Sequence, residues 1–288
     1  MRNSGTLLAV LLLAQLAVTA SADSCPDISS VPADLTVPPI ETGPPRAGVR
    51  AVVTPPEYKG TSVHHVLYLP VNWRPGGRYP VLVEYAGNGD YRNKYGDVST
   101  GTVEGSKLGY GISGGRDYIW LCLPYVSVDG TKNQTIWWGD VNATVAYAKR
   151  EVARTCEQWG GDPGKTVLCG FSRGAIACGY IGLHDDDIAA LWRAFIPYSH
   201  YDGAREWDYP DSDRAAARTR LQRLAGRPSF IIDESNSLAT TRAYIESTGI
   251  GAPFTYFALP FRNHNDAWAL RDTPARSAVR DWLNKTLE

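Results

Sequence analysis

The sequence predicts an α/β protein with one mostly parallel sheet of eight strands and helices on both faces. Eight short runs rich in β-branched and aromatic residues recur along the chain, which is typical of strands. Stretches with apolar residues at helical spacing lie between the later runs, whereas the first two runs suit a hairpin. Alternation of strands and helices favours parallel pairing, because each crossover helix packs on a face of the sheet.

Composition and charge exclude several classes of protein. The 288 residues are 43% hydrophobic and 20% charged, and 28 glycines with 19 prolines are too few for a low-complexity chain. The 29 basic and 30 acidic side chains leave a formal net charge of −1, so the charge offers no attraction to a polyanion. We therefore expect a chain with a sizeable core and no nucleic acid among its partners.

The first 22 residues predict a cleaved signal peptide. Arg2 precedes an apolar run from Leu7 to Val18, and small residues at positions 20–22 follow it, as at a signal-peptidase site. The run is too short for a bilayer, and no other stretch reaches the ~20 apolar residues of a transmembrane helix. We expect an exported protein without a membrane span.

The rest of the chain divides into a proline-rich leader and one large domain. Residues 23–47 lack apolar periodicity and predict an extended leader across the surface, while residues 48–288 form the α/β domain. Its strands are expected at Val49–Val53, Val63–Leu69, Tyr79–Ala86, Tyr118–Val126, Thr166–Gly170, Ala194–Tyr198, Ser229–Ile232 and Thr255–Leu259. Its helices are expected at Val141–Trp159, Arg173–His184, Leu238–Ser247 and Pro274–Leu287. The polar residues 201–227 follow the sixth strand and predict a small insertion or cap with a helix near Asp213–Leu224.

One serine lies on a predicted strand-to-helix turn. The string from Gly170 to Gly174 reads Gly-Phe-Ser-Arg-Gly, which matches G-x-S-x-G. A serine on such a tight turn is held in a strained backbone conformation, and the two glycines remove side chains that would clash. The start of the following helix favours developing negative charge beside the hydroxyl. These features predict that Ser172 is a nucleophile.

With its Gly-Phe-Ser-Arg-Gly-Ala string, the domain at residues 48–288 resembles the α/β-hydrolase family. No single subfamily is matched. The resemblance implies an eight-stranded, mostly parallel sheet. It also implies a triad of serine, acid and histidine in that chain order.

A hydroxyl nucleophile needs a base, and histidine is the usual base near neutral pH. His264 lies on a polar loop beyond the last predicted strand, where the family places its base, so we expect His264 to fill this role. His64 and His65 are adjacent in an early strand, and His184 ends a helix. His200 follows the sixth strand, in a position to line a pocket.

The acidic member of the triad is ambiguous. The family's loop after the seventh strand usually reads Gly-x-x-Asp, but residues 233–236 here read Asp-Glu-Ser-Asn, with Asn236 at the acidic position. An amide orients an imidazole but stabilises its charged form less than a carboxylate does. Some members take the acid from the end of the sixth strand, where this chain has Asp202. We expect the acid to be Asp202, and Asp233 and Glu234 remain alternatives.

Two backbone N–H groups are expected to form an oxyanion hole. One belongs to Arg173, directly after the nucleophile, and the other comes from the loop after the third predicted strand. That loop contains Gly87, Asn88 and Gly89, whose backbone can approach a substrate closely. We expect the second donor to be Asn88 or Gly89. Asn-Gly also favours a tight type I′ turn, but the long polar loop that follows argues against a hairpin.

Two glycine-rich strings echo cofactor motifs but lie in the wrong context. Residues 109–114 match G-x-G-x-x-G, yet a strand follows them, whereas a dinucleotide site needs the strand before and a helix after. Residues 161–166 echo a phosphate loop, but Trp159 stands where its first glycine belongs. No C-x-x-C occurs either. We expect no metal and no organic cofactor.

Cysteines and tryptophans are more easily explained by packing than by chemistry. The cysteines after the signal are Cys25, Cys122, Cys156, Cys169 and Cys178. Their number is odd, so at least one lies outside any disulfide within the chain, and most have the apolar neighbours of core residues. An aromatic platform for a sugar or acyl group is an alternative to core packing for Trp120, Trp137, Trp138, Trp207 and Trp268.

Taken together, these features predict a secreted serine hydrolase that cleaves small or polymer-linked carboxylic esters through an acyl-enzyme intermediate. Export suits esters of carbohydrates, polyesters or plant cell walls. One alternative is a serine peptidase of the same fold. The other is a non-catalytic binding protein on a hydrolase scaffold, which the irregular acid loop would suit.

Overall fold

The computed structural model describes residues 24–234 and 237–288, so the predicted signal peptide lies outside the described residues. The strands are β1 Ile40–Glu41, β2 Arg50–Val53, β3 His65–Tyr68, β4 Tyr79–Tyr85, β5 Tyr91–Arg92, β6 Val98–Ser99, β7 Ile119–Leu123, β8 Gly161–Phe171, β9 Ala194–Tyr198, β10 Ser229–Glu234 and β11 Phe254–Leu259. The helices are α1 Leu108–Ser113, α2 Val141–Trp159, α3 Arg173–Tyr180, α4 Asp186–Ala189, α5 Arg214–Leu221, α6 Leu238–Thr248 and α7 Pro274–Leu287. Short 3₁₀ turns cover Ile28–Ser30, Pro56–Tyr58, Val103–Gly105, Gln222–Leu224 and Asp266–Leu270.

In the described part of the chain, nine strands form one sheet in the order β1-β2-β3-β7-β4-β8-β9-β10-β11. Strand β3 runs antiparallel to its neighbours β2 and β7, and the remaining pairs are parallel. The sheet is therefore mostly parallel, as the sequence predicts. Within this sheet, the strand beyond the predicted eight is β1, which comes from the proline-rich leader and pairs with β2. The unpredicted strands β5 and β6 pair with each other outside it.

The central strand β4 supplies side chains to both faces of the sheet, because successive residues of a strand point in opposite directions. Val81, Val83 and Tyr85 pack in one cluster with residues of α2 and α3. Leu82 joins the opposite cluster, to which α1 and α7 contribute. Full burial of each such aliphatic side chain stabilises the fold by about 1.5–3 kcal/mol. Helices thus cover both faces of the sheet.

Local end signals explain why α2 and α7 have the predicted bounds. Asp140 caps α2 by accepting a hydrogen bond from the Ala143 N–H, and Gly160 ends the helix at φ +76°. Thr273 caps α7 by accepting from the Arg276 N–H, with a proline in the first turn. Each end signal lies within the helix or next to it, so it is readable without tertiary contacts.

The structure differs from the predicted elements in several places, of which α1 and β8 have a clear physical cause. Helix α1 is absent from the predicted elements. Its start is stabilised by the buried carboxylate of Glu84 on β4, which accepts from the Leu108 and Gly109 N–H groups, and no local sequence signal marks this contact. The G-x-G-x-x-G string therefore lies on a short helix, with strand β7 after it. Strand β8 begins at Gly161 and not at Thr166, because Gly161 already pairs with Tyr79 of β4.

The leader is docked along its length. Besides strand β1, its Ile28 N–H donates to Oδ1 of Asn263 at 2.7 Å, and Asp34 forms an ion pair with Arg276 of α7 at 2.6 Å. None of the helices in residues 24–234 and 237–288 is both long enough and apolar enough to cross a membrane.

Candidate active site

Ser172 lies on a strained turn between β8 and α3. Its φ of +54° with ψ of −114° is unusual for a residue with a side chain. The turn is tight because a Cβ at Gly170 would collide with the Gly174 carbonyl, and a Cβ at Gly174 would collide with the Tyr85 carbonyl. Only glycine fits at both positions, and the hydroxyl is presented at the start of α3. This geometry is typical of a nucleophile elbow.

The structure brings Ser172 and His264 together. His264 lies on the loop after β11, and its Nε2 is 3.0 Å from the Ser172 Oγ. At this distance one proton can pass directly from the hydroxyl to the imidazole. The imidazole edge also packs against Phe171 and Tyr91, with ring centroids 4.8 and 5.0 Å away. These contacts limit rotation of the ring.

A carboxylate at the end of β10 holds the other nitrogen of the imidazole. Oε1 of Glu234 is 3.0 Å from the His264 Nδ1. The Ser199 Oγ is 2.9 Å from the same nitrogen and donates to Oε2 of Glu234 at 3.1 Å. Because an ionised carboxylate only accepts hydrogen bonds, the proton belongs on Nδ1, which leaves Nε2 free to accept from the serine.

Asp202, the favoured acid of the sequence analysis, is elsewhere, and this placement corrects that expectation. Its carboxylate accepts two hydrogen bonds from Arg220, at 2.7 Å from Nε and 2.9 Å from Nη2. The pair is buried and ties the start of the insertion to α5. The chain turns after β9 so that Ser199, rather than Asp202, faces the imidazole. Sequence position alone does not reveal that turn.

The two alternative carboxylates point in different directions. Asp233 accepts from the hydroxyls of Ser237 and Thr241, at 2.5 and 2.9 Å, and so faces α6. Burial and the charge of Glu234 raise the pKa of Asp233 to about 8. Burial raises the pKa of Glu234, but the hydrogen bond and charge of His264, together with contributions from Asp233 and His200, outweigh burial and hold that pKa below its usual value. Asn236 lies outside the described residues.

A buried aspartate that the sequence analysis missed anchors the loop of the histidine. Asp97 is 2% exposed and accepts from the backbone N–H of His264 at 2.9 Å. It also accepts from the side-chain amides of Asn263 at 2.9 Å and Asn93 at 2.7 Å. The loop around β6 and the loop after β11 are therefore joined at one carboxylate. No sequence motif marks Asp97, because its partners in the histidine loop lie more than 160 residues away in the chain.

The expected oxyanion residues line the same cavity as the nucleophile. Arg173 occupies the first position of α3, where a backbone N–H has no partner within the helix. Of the two alternatives for the second donor, the Gly89 N–H already donates to the Thr135 carbonyl at 2.7 Å. Asn88 borders the cavity beside Ser172. The arrangement therefore favours Asn88 over Gly89.

The cavity above Ser172 measures about 160 Å³ and has aromatic side chains in part of its wall. Its lining residues are Asn88, Tyr91, Ser99, Trp137, Ser172, Arg173, Ile176, His200, Trp207 and His264. Trp137 and Trp207 meet at 5.5 Å between ring centroids, so two of the tryptophans considered for an aromatic platform form a wall. Trp120, Trp138 and Trp268 are core residues. Among the described residues, no three His, Cys, Asp or Glu side chains come together as metal ligands would.

Comparisons with known proteins identify the fold. An acetyl ester-xyloside bifunctional hydrolase from Caldicellulosiruptor lactoaceticus has a TM-score of 0.55 at 14% identity, over 77% of this chain and 87% of that chain. An arylesterase has a TM-score of 0.54 at 12% identity, over 88% of each chain. A thermostable esterase has a TM-score of 0.51 at 15% identity; the match covers 82% of this chain but only 62% of that esterase.

These similarities, together with the sheet order and the elbow, show that the chain has the α/β-hydrolase fold. The solved structures are hydrolases, but at such low identity the likeness defines the fold alone. No family model and no curated protein matches the sequence.

Proposed function

We propose that this protein is a serine hydrolase that cleaves carboxylic esters through an acyl-enzyme intermediate. Ser172 attacks the ester carbonyl while His264 takes the hydroxyl proton and then gives it to the leaving alcohol. Glu234 orients the imidazole and stabilises its charged form. The N–H groups of Asn88 and Arg173 bind the oxyanion. A water molecule, activated by His264, then releases the acid and restores Ser172.

One observation carries this proposal. The Ser172 Oγ, both nitrogens of His264 and the Glu234 carboxylate form a chain of two contacts, each 3.0 Å long, at a strained elbow. A serine in a plain glycine-rich turn has no need of a base oriented by an acid. Esterases are among the solved structures that share the fold, which supports ester substrates.

The test is hydrolysis of p-nitrophenyl acetate and butyrate by the purified protein, beside a panel of peptide p-nitroanilides. We expect ester hydrolysis by the wild type and a loss of at least about 10³-fold in Ser172→Ala, since removal of the nucleophile stops acylation. Hydrolysis of the anilides alone would make the protein a peptidase. A wild type without activity on either panel would support a binding protein.

We also propose that the protein is exported. The apolar run Leu7–Val18 and the small residues after it support this proposal. Expression of the full chain in a secreting host, followed by N-terminal sequencing, should give a secreted chain that begins at Asp23. A chain retained in the cell with its first 22 residues intact would contradict the export proposal without affecting the catalytic one.

A further inference from the structure

The side chain of Arg173 is a buried cation beside the nucleophile, and the mechanism above uses only its backbone. The residue is 1% exposed, and its guanidinium lies 3.9 Å from the centre of the Tyr125 ring. Burial lowers the pKa of Arg173 to about 10, so the group remains charged at neutral pH. In the described part of the chain, no carboxylate lies within ion-pair distance of it.

Backbone carbonyls take the place of a carboxylate partner. Nη1 of Arg173 donates to the Trp137 carbonyl at 2.7 Å. Nη2 donates to the carbonyls of Gly87 at 2.9 Å and Gly101 at 3.2 Å. These carbonyls belong to three separate segments that converge at the active-site cavity. Burial of a charge without a carboxylate partner is unfavourable, and the hydrogen bonds to the three carbonyls offset part of this free energy. The guanidinium thereby holds the three segments together.

The contact with Gly87 fixes the direction of the N–H assigned to the oxyanion hole. The Gly87 carbonyl and the Asn88 N–H belong to one peptide unit, and in a trans peptide the two groups point in opposite directions. A guanidinium that holds the carbonyl therefore turns the N–H away from itself. Its positive charge also polarises the peptide, which makes the N–H a stronger donor.

The same guanidinium holds the tryptophan wall of the cavity. The Trp137 backbone has a φ of +50°, a strained value for a tryptophan. Its N–H donates to Oδ1 of Asn88 at 2.8 Å, and its carbonyl accepts from Arg173. Asn88 and Trp137 are thus linked to each other and both tied to one side chain. Loss of the guanidinium would therefore free both the Asn88 N–H and the Trp137 side of the cavity wall to move.

We propose that the Arg173 side chain is a positioning residue of the oxyanion hole, which it preorganises by holding the Gly87–Asn88 peptide and Trp137 in place. The inference rests on the proposed function, because it concerns the stabilisation of an oxyanion at Ser172. Arg173 then contributes one donor through its own backbone and aims the second through its side chain.

Arg50 offers a matched control. It is also buried, at 4% exposed, lies 5.0 Å from the centre of the Trp120 ring and donates to the carbonyls of Pro38 and Glu104. Arg50 is not among the residues that line the active-site cavity. Replacement of either arginine by methionine removes a stacked, carbonyl-bound cation from the interior. Only Arg173 bonds to the Gly87 and Trp137 carbonyls beside the proposed oxyanion hole.

The experiment compares Arg173→Met and Arg50→Met in kcat and KM for p-nitrophenyl acetate, in binding of butylboronic acid and in urea unfolding. The boronate adopts the tetrahedral geometry of the intermediate, so its affinity reports the oxyanion site. We expect Arg173→Met to lose about 10²-fold in kcat and similarly in boronate affinity, with KM changed by less than about threefold. Arg50→Met should lower the stability to urea and leave kcat, KM and boronate affinity close to those of the wild type.

Two results would overturn the inference. One is a wild type that hydrolyses esters while Arg173→Met stays within about threefold of Arg50→Met in kcat and boronate affinity. The other is a wild type that hydrolyses no ester, which overturns the proposed function as well. If a methionine variant does not fold, Arg173→Lys and Arg50→Lys are compared by the same criteria, since lysine keeps the charge but not the planar fork.

Discussion

Two adjacent carboxylates at the end of β10 have different tasks because a strand points successive side chains to opposite faces. Asp233 faces the hydroxyls of α6, whereas Glu234 faces His264. The hydroxyl of Ser199 completes the site by bonding to Glu234, and its backbone is held at φ +84° in the turn after β9. Which of the two carboxylates faces the imidazole is therefore set by its position along β10, because a shift of one residue moves a side chain to the opposite face.

Glu234→Gln tests which carboxylate acts as the acid. The amide keeps the size of the side chain but cannot stabilise the imidazolium, and it favours the wrong tautomer of His264 when its NH₂ faces Nδ1. We expect kcat for p-nitrophenyl acetate to fall by about 10²- to 10⁴-fold. Steady-state kinetics from pH 6 to 9 measure the loss.

Asp202→Asn is the matched control for that substitution. It breaks a buried ion pair with Arg220 and should lower the free energy of unfolding by about 3–5 kcal/mol, with kcat within about twofold of the wild type. If kcat fell in Asp202→Asn and stayed near the wild-type value in Glu234→Gln, the acid would be Asp202 instead of Glu234.

The insertion after β9 closes the cavity from outside the sheet. Its Trp207 lies 5.5 Å from Trp137 and 5.2 Å from His200, and Arg205 lies 4.3 Å from the centre of the Trp207 ring. Trp207 is thus the residue through which the insertion lines the cavity of about 160 Å³. A short acyl or alcohol group fits this space better than a long chain does.

Trp207→Ala should widen the cavity and shift the chain-length preference. We expect the ratio of kcat/KM for p-nitrophenyl octanoate to that for the acetate to rise by about tenfold, because each added methylene finds space that the indole occupied. The measurement is a series of esters from acetate to decanoate. Trp282→Ala on α7, which packs against Phe230 outside the cavity, serves as the control. An unchanged ratio in Trp207→Ala would show that the indole does not limit the substrate.

The stability of the whole molecule is tied to pH through Glu84, a carboxylate buried inside the domain. Burial and the nearby charge of Asp266 raise the pKa of Glu84 to about 7, from 4.5 in an unfolded chain. Between these values the unfolded chain loses a proton that the folded chain keeps. Stability therefore falls as the pH rises from about 4.5 to 7, and the contribution of Glu84 reaches about 3 kcal/mol.

Glu84→Gln removes this titration and should reduce the pH dependence of the unfolding free energy. Urea unfolding at pH 5 and pH 8 measures the change, and Glu246→Gln on the exposed face of α6 is the control. We expect the drop in stability between the two pH values to shrink in Glu84→Gln alone. The same drop in both variants would mean that Glu84 keeps its ordinary pKa in the folded protein.

At the scale of the whole chain, features with local causes were predictable and features with distant causes were not. The bounds of α2 follow from Asp140 and Gly160, and the elbow at Ser172 follows from its flanking glycines. Both signals lie within a few residues of the element they define. The mostly parallel sheet follows from the alternation of strands and helices, which also needs no contact to be read.

The acid and the supports of the site depend on contacts between remote segments. Glu234 at the end of β10 reaches His264 on the loop after β11, whereas Asp202 pairs with Arg220 of α5. Asp97 holds the histidine loop across more than 160 residues of sequence. Helix α1 likewise begins where its first N–H groups meet the carboxylate of Glu84 on strand β4. No local motif encodes such contacts, so sequence reasoning favoured Asp202 over Glu234 as the acid and missed Asp97 and α1.

The proposed reaction requires that Ser172 becomes acylated with His264 as its base. The most direct test is peptide mapping by mass spectrometry after reaction with a fluorophosphonate, which bonds covalently to an activated serine. We expect one adduct per chain, located at Ser172, absent from Ser172→Ala and formed far more slowly in His264→Ala. An unlabelled wild type, or an adduct on a different residue, would contradict it.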